Sequence, residues 1–168
     1  MKHASGDAGA PPDPLTDLAC ACAAARQVAR TLTQLYDRFL AETGIEAPQF
    51  ALLMTLEKQG PTSQASIGRR YALDKTTMSR NLKWLERKGW VESVGGAGDR
   101  RQRRFGLTAE GERRLAAARP EWKKAQQTLR AGMTAKQWDT MFDVFRTVAR
   151  AAHGAQLDRG GKGTRRSR

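Results

Sequence analysis

The chain has 168 residues, a formal net charge of +13 and a sequence pI near 10.7. This length is typical of one domain with a substantial core, and the positive charge indicates a polyanionic partner such as nucleic acid. A membrane surface is the competing partner, but the sequence has no apolar run near ~18 residues and no long basic amphipathic helix. Because it also lacks a signal-peptide core, we expect a cytoplasmic, nucleoid-associated protein without membrane contact.

The N-terminal third predicts a tail and one long helix. Residues 1–12 are rich in Gly, Ala and Pro and are predicted to be disordered. A first dimerisation helix is predicted over 13–46, because Pro14 in a first turn has no amide hydrogen to leave unpaired. Its apolar residues recur at heptad spacing: Leu15, Leu18, Cys22, Ala25, Ala29, Leu32, Tyr36 and Phe39. This seam predicts a homodimer, and the alternative is a monomer whose terminal helices pack together.

Three helices are predicted next. The first begins at Pro48 and stops at the Gly60-Pro61 pair. Two short helices follow, over about residues 63–71 and 74–88, with a tight turn between them. Two short helices joined in this way are typical of a helix-turn-helix motif.

The second short helix has a face suited to DNA. Its inward positions are Met78, Leu82 and Leu85, and its outward positions combine hydroxyls and cations: Lys75, Thr76, Ser79, Arg80, Lys83 and Arg87. Long cations reach base edges and phosphates, and small hydroxyls allow a close backbone approach. Arg80 is the candidate for recognising a guanine base, because its guanidinium can donate hydrogen bonds to guanine O6 and N7 at the same time. Thr76, Thr77 and Ser79 are expected to contact phosphates or to pack closely.

A β-hairpin is predicted after these helices, with one strand over 90–94 and a second that ends at Leu107. Its glycine-rich tip carries Asp99, Arg100, Arg101, Arg103 and Arg104. Guanidinium groups suit phosphates and a narrow minor groove, and Asp99 is expected to orient one of the arginines. A solvated basic turn is the alternative interpretation. Residues 62–107 hold eleven Lys and Arg against four acids.

Residues 108–152 predict two C-terminal dimerisation helices. Thr108 caps the first, Pro120 lies inside it, and a capping box from Thr134 to Gln137 starts the second. Residues 153–168, rich in Gly, Arg and Lys, predict a basic disordered tail. With residues 47–107 as a winged helix-turn-helix DNA-binding domain, the predicted fold is mainly α with a small β-hairpin wing, within a helical dimer.

The chain resembles the MarR family of bacterial transcriptional regulators. The matching stretches are Gly-Ile-Glu-Ala-Pro-Gln-Phe-Ala-Leu-Leu (44–53), Leu-Asp-Lys-Thr-Thr-Met-Ser-Arg-Asn-Leu (73–82), Leu-Glu-Arg-Lys-Gly-Trp-Val (85–91) and Gly-Asp-Arg-Arg with Leu-Thr-Ala-Glu-Gly (98–111). The resemblance implies a homodimer with a wing arginine in the minor groove. It matches Asp99 and Arg101 to the family's wing pair, and Thr76, Thr77, Ser79, Arg80 and Asn81 to its recognition-helix contacts.

The function implied is a sequence-specific repressor that binds a pseudo-palindromic operator and is released by a small, often aromatic, ligand. The candidates for lining a ligand crevice are Tyr36, Phe39, Gln49, Phe50 and Trp122. We predict no enzyme activity, catalytic residue, metal site or cofactor, because no group of converging titratable residues is visible. A further alternative is an architectural protein that coats DNA without sequence preference.

Some MarR-like proteins sense organic hydroperoxides with a cysteine near the start of the first helix, held by two tyrosines. By alignment that cysteine falls on Cys22 and one tyrosine on Tyr36, whereas the second tyrosine falls on Ala47. A thiol-based peroxide-sensing repressor that uses Cys22 is therefore an alternative function. A buried Cys22 that packs as a small hydrophobic residue is the competing interpretation.

Overall fold

The computed structural model describes residue 15 and residues 20–71, 75–95 and 103–161. Its elements are α1 (Ala21–Leu40), α2 (Ala47–Gln59), β1 (Thr62–Ser63), α3 (Gln64–Tyr71), α4 (Lys75–Arg87), β2 (Val91–Val94), β3 (Arg104–Leu107), α5 (Ala109–Ala131) and α6 (Ala135–Gly161). Two compact units are formed by residues 1–123 and 124–168. The predicted fold class, mainly α with a small β-hairpin wing, is confirmed. None of the described helices is both long and apolar enough to span a bilayer.

Helix α1 begins at Ala21, later than the predicted start at Pro14. Cys20 precedes it with φ −98° and ψ 115°, the extended conformation of a residue at the N-cap position. The Cys20 carbonyl accepts the first helical hydrogen bond, from the Ala24 N–H at 3.0 Å, and Leu15 lies in a turn outside this helix. Within the described part of α1 the predicted seam runs from Cys22 to Phe39, and Leu18 lies outside the described residues.

Side-chain hydrogen bonds set the start of α2. The Gln49 side chain reaches back to Glu46, accepting from its backbone N–H at 3.1 Å and donating to its carboxylate at 3.2 Å. Asp37 on α1 accepts a hydrogen bond of 2.7 Å from the Ala47 backbone N–H. These contacts satisfy amides that a helix N-terminus leaves unpaired, and they tie α1 to α2.

The core of the first unit lies between α2, the helix-turn-helix and the start of α5. Its fully buried side chains include Phe50, Leu52, Leu53, Leu56, Ile67, Met78, Leu82, Leu85 and Leu115. The inward positions predicted for α4 are thus all buried. Because these positions of α4 are buried in the core, the opposite face of α4 is exposed to solvent.

The sheet has three strands, in the order β1-β3-β2, and both pairings are antiparallel. The hairpin strands pair Val91 with Leu107 and Val94 with Arg104, as the predicted hairpin requires. Strand β1 was not predicted. It pairs Thr62 with Phe105, so β3 is central and the root of the wing is joined to the segment that precedes α3.

Helix α6 begins with the predicted capping box. The Thr134 N–H donates to the Gln137 side chain at 2.8 Å, and the Gln137 N–H donates to the Thr134 hydroxyl at 3.2 Å. The helix continues to Gly161, so the prediction of disorder from residue 153 is wrong for 153–161. Residues 148–157 are rich in Ala and other good helix formers, and the single Gly154 costs only about 1 kcal/mol.

Candidate nucleic-acid interface

Helix α4 presents a cationic face to solvent because its apolar face is buried in the core. Met78, Leu82 and Leu85 are at most 1% exposed, whereas Arg80, Lys83 and Arg87 are exposed on the opposite side. These three cations line a surface hollow of about 350 Å³ together with Glu86. A hollow with three cations and one acid suits the phosphates and base edges of a DNA groove.

The shorter polar side chains of α4 differ in exposure. Thr76 is exposed, and Thr77, Ser79 and Asn81 are half-buried. Lys75 begins the helix, but its side chain is outside the described part of the chain. The predicted recognition-helix residues thus lie on one helix, and Thr76, Arg80 and Lys83 are exposed among them.

The tip of the wing lies outside the described residues, and with it Asp99, Arg100 and Arg101. Their predicted DNA contacts stay predictions. The described strands β2 and β3 form the wing root, defined here as Val91–Val94 and Arg104–Leu107. Arg104 donates a hydrogen bond to the carbonyl oxygen of Pro61, which anchors the root next to β1.

Arg103 was predicted to contact DNA, but its guanidinium is engaged within the protein. Its Nη2 lies 2.5 Å from a carboxylate oxygen of Glu86, and its Nε donates to the Ser93 hydroxyl at 2.9 Å. Glu86 is a functional candidate that was not predicted. Its sequence signal is that it is the one acid among residues 75–88, on a helix otherwise suited to a polyanion.

A cavity of about 350 Å³ opens between α1, α2, α3 and α5 within the first unit. Three predicted ligand residues line it: Tyr36, Phe50 and Trp122. The rings of Phe50 and Trp122 are stacked, with centroids 5.7 Å apart and planes at 25°. Burial raises the pKa of the Tyr36 phenol, so this side chain remains a neutral hydrogen-bonding group at physiological pH.

Two other predicted ligand residues do not line this cavity. The Gln49 side chain is held at the start of α2 by its hydrogen bonds with Glu46. Phe39 is half-buried elsewhere on α1. Two cations that were not predicted as ligand residues also line the cavity, Lys58 and Arg70. Only the tertiary structure brings them together, since they lie on separate helices.

Both thiols are exposed in the single chain. Cys22 is on α1, so the packing role considered for it is not realised within the protomer. Cys20 is the residue before the helix, and the backbone N–H groups of Ala23 and Cys22 lower the pKa of its thiol below the ordinary value. The structure thus draws attention to Cys20 rather than to Cys22, the cysteine that the alignment indicated.

Comparison with known proteins agrees with this architecture. A sequence model of the MarR family matches residues 45–102, which extend from the start of α2 into the wing. The HTH-type transcriptional regulator YwoH of Bacillus subtilis is 27% identical over 120 residues, covering 71% of this chain and 87% of that protein. Residues 45–102 therefore carry a MarR family domain. The chain has the winged-helix fold of MarR-type regulators and is a DNA-binding transcriptional regulator.

Solved MarR-type structures superpose closely on the chain. The transcriptional regulator MosR of M. tuberculosis is 29% identical, with a TM-score of 0.72 over 82% of this chain and 98% of that chain. A crystal structure of MosR in complex with DNA gives a TM-score of 0.66 at 28% identity over 80% and 98% of the two chains. PcaV of Streptomyces coelicolor, solved with its natural ligand, gives 0.71 at 27% identity over 86% and 99%.

Proposed function

We propose that the protein is a homodimeric repressor that reads a pseudo-palindromic operator and is released by a small aromatic acid. The observation that carries this proposal is the cationic outer face of α4, where Arg80, Lys83 and Arg87 project from a helix whose other face is buried. Two such helices related by a two-fold axis suit half-sites about one helical turn apart.

The homodimer is supported by apolar surface on α6. Phe142, Val144, Phe145 and Val148 are 42–54% exposed, although they are large hydrophobic residues within about two turns of one helix. Exposed apolar residues clustered on one element mark an interaction surface. A second copy of the chain, which presents the same surface, would cover it isologously.

The ligand class follows from the cavity in the first unit. Stacked Phe50 and Trp122 provide a wall for a planar ring, and the volume of about 350 Å³ is at the small end of ligand sites. Lys58 and Arg70 supply positive charge, and none of the described lining residues is acidic. An aromatic carboxylate fits this combination better than a cation or a large lipid.

Release is explained by the position of Arg70. It lines the cavity and belongs to α3, the first helix of the helix-turn-helix. A carboxylate bound to Arg70 would favour one position of α3 and α4 over another. The ligand shifts this equilibrium only by the difference in its affinity for the two states.

The test uses benzoate and its uncharged analogue benzamide. Binding to the free protein is followed by tryptophan fluorescence, and release is followed by titrating a protein complex with a selected DNA duplex. We expect benzoate to bind and to weaken the DNA complex, and Arg70→Gln to lose preference for benzoate over benzamide. Lys123→Gln, the same charge change at an exposed residue of α5, is the control. Equal effects of benzoate and benzamide on wild type would contradict the anionic ligand.

A second candidate, a thiol-based peroxide sensor, is favoured by the lowered pKa of Cys20. The Cys20 thiolate would attack a hydroperoxide, forming a sulfenic acid as the O–O bond breaks, and the departing alkoxide would take a proton from water. Cys20→Ser should then abolish peroxide release of DNA, whereas Cys22→Ser should leave the first oxidation step intact. Peroxide release that survives in Cys20→Ser removes this candidate.

A further inference from the structure

The side chain of Arg103 joins three elements at the base of the wing. Its Nη2 contacts Glu86 on α4 at 2.5 Å, and its Nε contacts Ser93 on β2 at 2.9 Å. The guanidinium also lies over the Phe105 ring of β3, with its central carbon 5.0 Å from the ring centroid. One planar group therefore bridges the recognition helix and both strands of the wing root.

This geometry uses the features that distinguish arginine from lysine. Two nitrogens of the guanidinium donate in fixed directions while the cation lies over an aromatic ring. A lysine ammonium is a compact point charge and cannot place two donors in this fixed geometry while also lying over the ring. A guanidinium held in this way is restrained by Glu86, Ser93 and Phe105 together.

We propose that Arg103 is a positioning residue that fixes the angle of the wing against the recognition helix. In this arrangement the Arg103 guanidinium forms an ion pair with Glu86 and does not contact a DNA phosphate. The acid on the DNA-facing helix is then favourable for DNA binding, because it holds the wing where its tip meets the duplex.

Simple electrostatics predicts the opposite for Glu86. A carboxylate near DNA repels phosphate, so its removal should strengthen binding. If Glu86 serves to hold Arg103, its removal should weaken binding instead. The two accounts therefore differ in the sign of the effect, which makes the Glu86→Gln variant decisive.

The Arg103–Glu86 ion pair contributes little to the free energy of folding, so variants that remove it should remain folded. The Arg103 side chain is 49% exposed and that of Glu86 22%, and partly exposed ion pairs are weak contributors to stability. We expect Glu86→Gln and Arg103→Ala to keep the wild-type circular dichroism spectrum and a cooperative thermal transition.

The experiment measures affinity by fluorescence anisotropy on two probes: a duplex that the wild-type protein selects from a random pool, and an unselected duplex of equal length. We expect Glu86→Gln to weaken binding about tenfold, in the range of coupled neighbouring residues. Arg103→Ala and Arg103→Lys should weaken it to a similar extent, and the double variant Glu86→Gln with Arg103→Ala should be no worse than either single variant.

Glu92→Gln is the matched control, because it removes the same charge from an exposed position on β2. It should bind DNA as tightly as wild type or more tightly. If Glu86→Gln behaves like Glu92→Gln, or if Arg103→Lys binds like wild type, Arg103 is a phosphate contact and the proposal is wrong. Failure to select any preferred duplex would count against the operator proposed above, and the unselected duplex would still test the role of Arg103.

Discussion

Gly111 lies in the first turn of α5, directly against the backbone of Trp90. A Cβ added at Gly111 would fall 2.0 Å from the Trp90 carbonyl oxygen, closer than any non-bonded contact allows. The same oxygen accepts a hydrogen bond of 3.2 Å from the Thr108 N–H. The close approach therefore belongs to the junction at which the hairpin passes into α5.

We expect Gly111→Ala to destabilise the protein by about 3 kcal/mol, because backbone at this junction would have to move. Thermal unfolding by circular dichroism measures the loss. Gly154→Ala on α6 is the matched control, since an added Cβ there meets no atom within 4 Å. That variant should be neutral or slightly stabilised, and a comparable loss in both variants would show that the Trp90 contact is not the cause.

Under the proposed function, Arg80 recognises a base and thereby sets the sequence preference. Arg80→Ala should relax the preference at one base position of each half-site and cost about 1–3 kcal/mol on the preferred duplex. Lys83→Ala, by comparison, should weaken binding on all sequences. It should also reduce the slope of log affinity against log salt concentration by about one, as expected for the loss of one phosphate contact. Affinities measured on single-base variants of the duplex separate the two roles. A uniform loss for Arg80→Ala would contradict direct readout.

At the scale of elements, the start of α5 depends on one hydroxyl. Thr108 Oγ donates to the Gly89 carbonyl at 2.6 Å and accepts from the Gly111 N–H at 3.0 Å. Thr108→Ala should cost about 1 kcal/mol, the usual loss on removing an N-cap side chain, and Thr108→Ser should recover most of it. Chemical denaturation measures both variants, and an unaffected Thr108→Ala would show that water replaces the cap.

Elements with strong local signals were predictable from the sequence. The hairpin strands, the Thr108 cap and the Thr134–Gln137 capping box follow from periodicity and capping residues within a few positions. Strand β1 was not predictable, because two residues show no alternation and the strand forms by pairing with distant β3. The extent of α6 was not predictable near residue 153, because glycine and charge there indicate disorder whereas the alanine-rich residues before them favour continuing the helix.

The candidate site shows the same division. Arg80 and Lys83 were placed on the outer face by helical periodicity alone. The internal contact of Arg103 with Glu86 joins residues 17 apart in sequence, and Lys58 and Arg70 meet only around a cavity. Such pairings depend on how elements pack, so a linear pattern of charges cannot distinguish a contact within the protein from one with DNA.

At the scale of the whole molecule, the exposed apolar face of α6 is the basis of the proposed homodimer. Analytical ultracentrifugation at micromolar concentration should give about twice the 18.6 kDa of one chain. Phe145→Glu should shift the protein toward monomer by placing a charge in the interface. Arg150→Glu alters charge on the same helix without removing apolar surface and should remain dimeric. A wild-type monomer under these conditions would contradict the homodimer.

Operator specificity is the central claim, and a competition binding experiment tests it most directly. The protein is bound to the duplex that it selects from a random pool, and unselected duplex of equal length is added as competitor at one fixed salt concentration. We predict a preference of about 10³-fold or more for the selected duplex, with two protomers bound to it. Nearly equal affinities for the two duplexes would contradict this account and indicate a protein that coats DNA without regard to sequence.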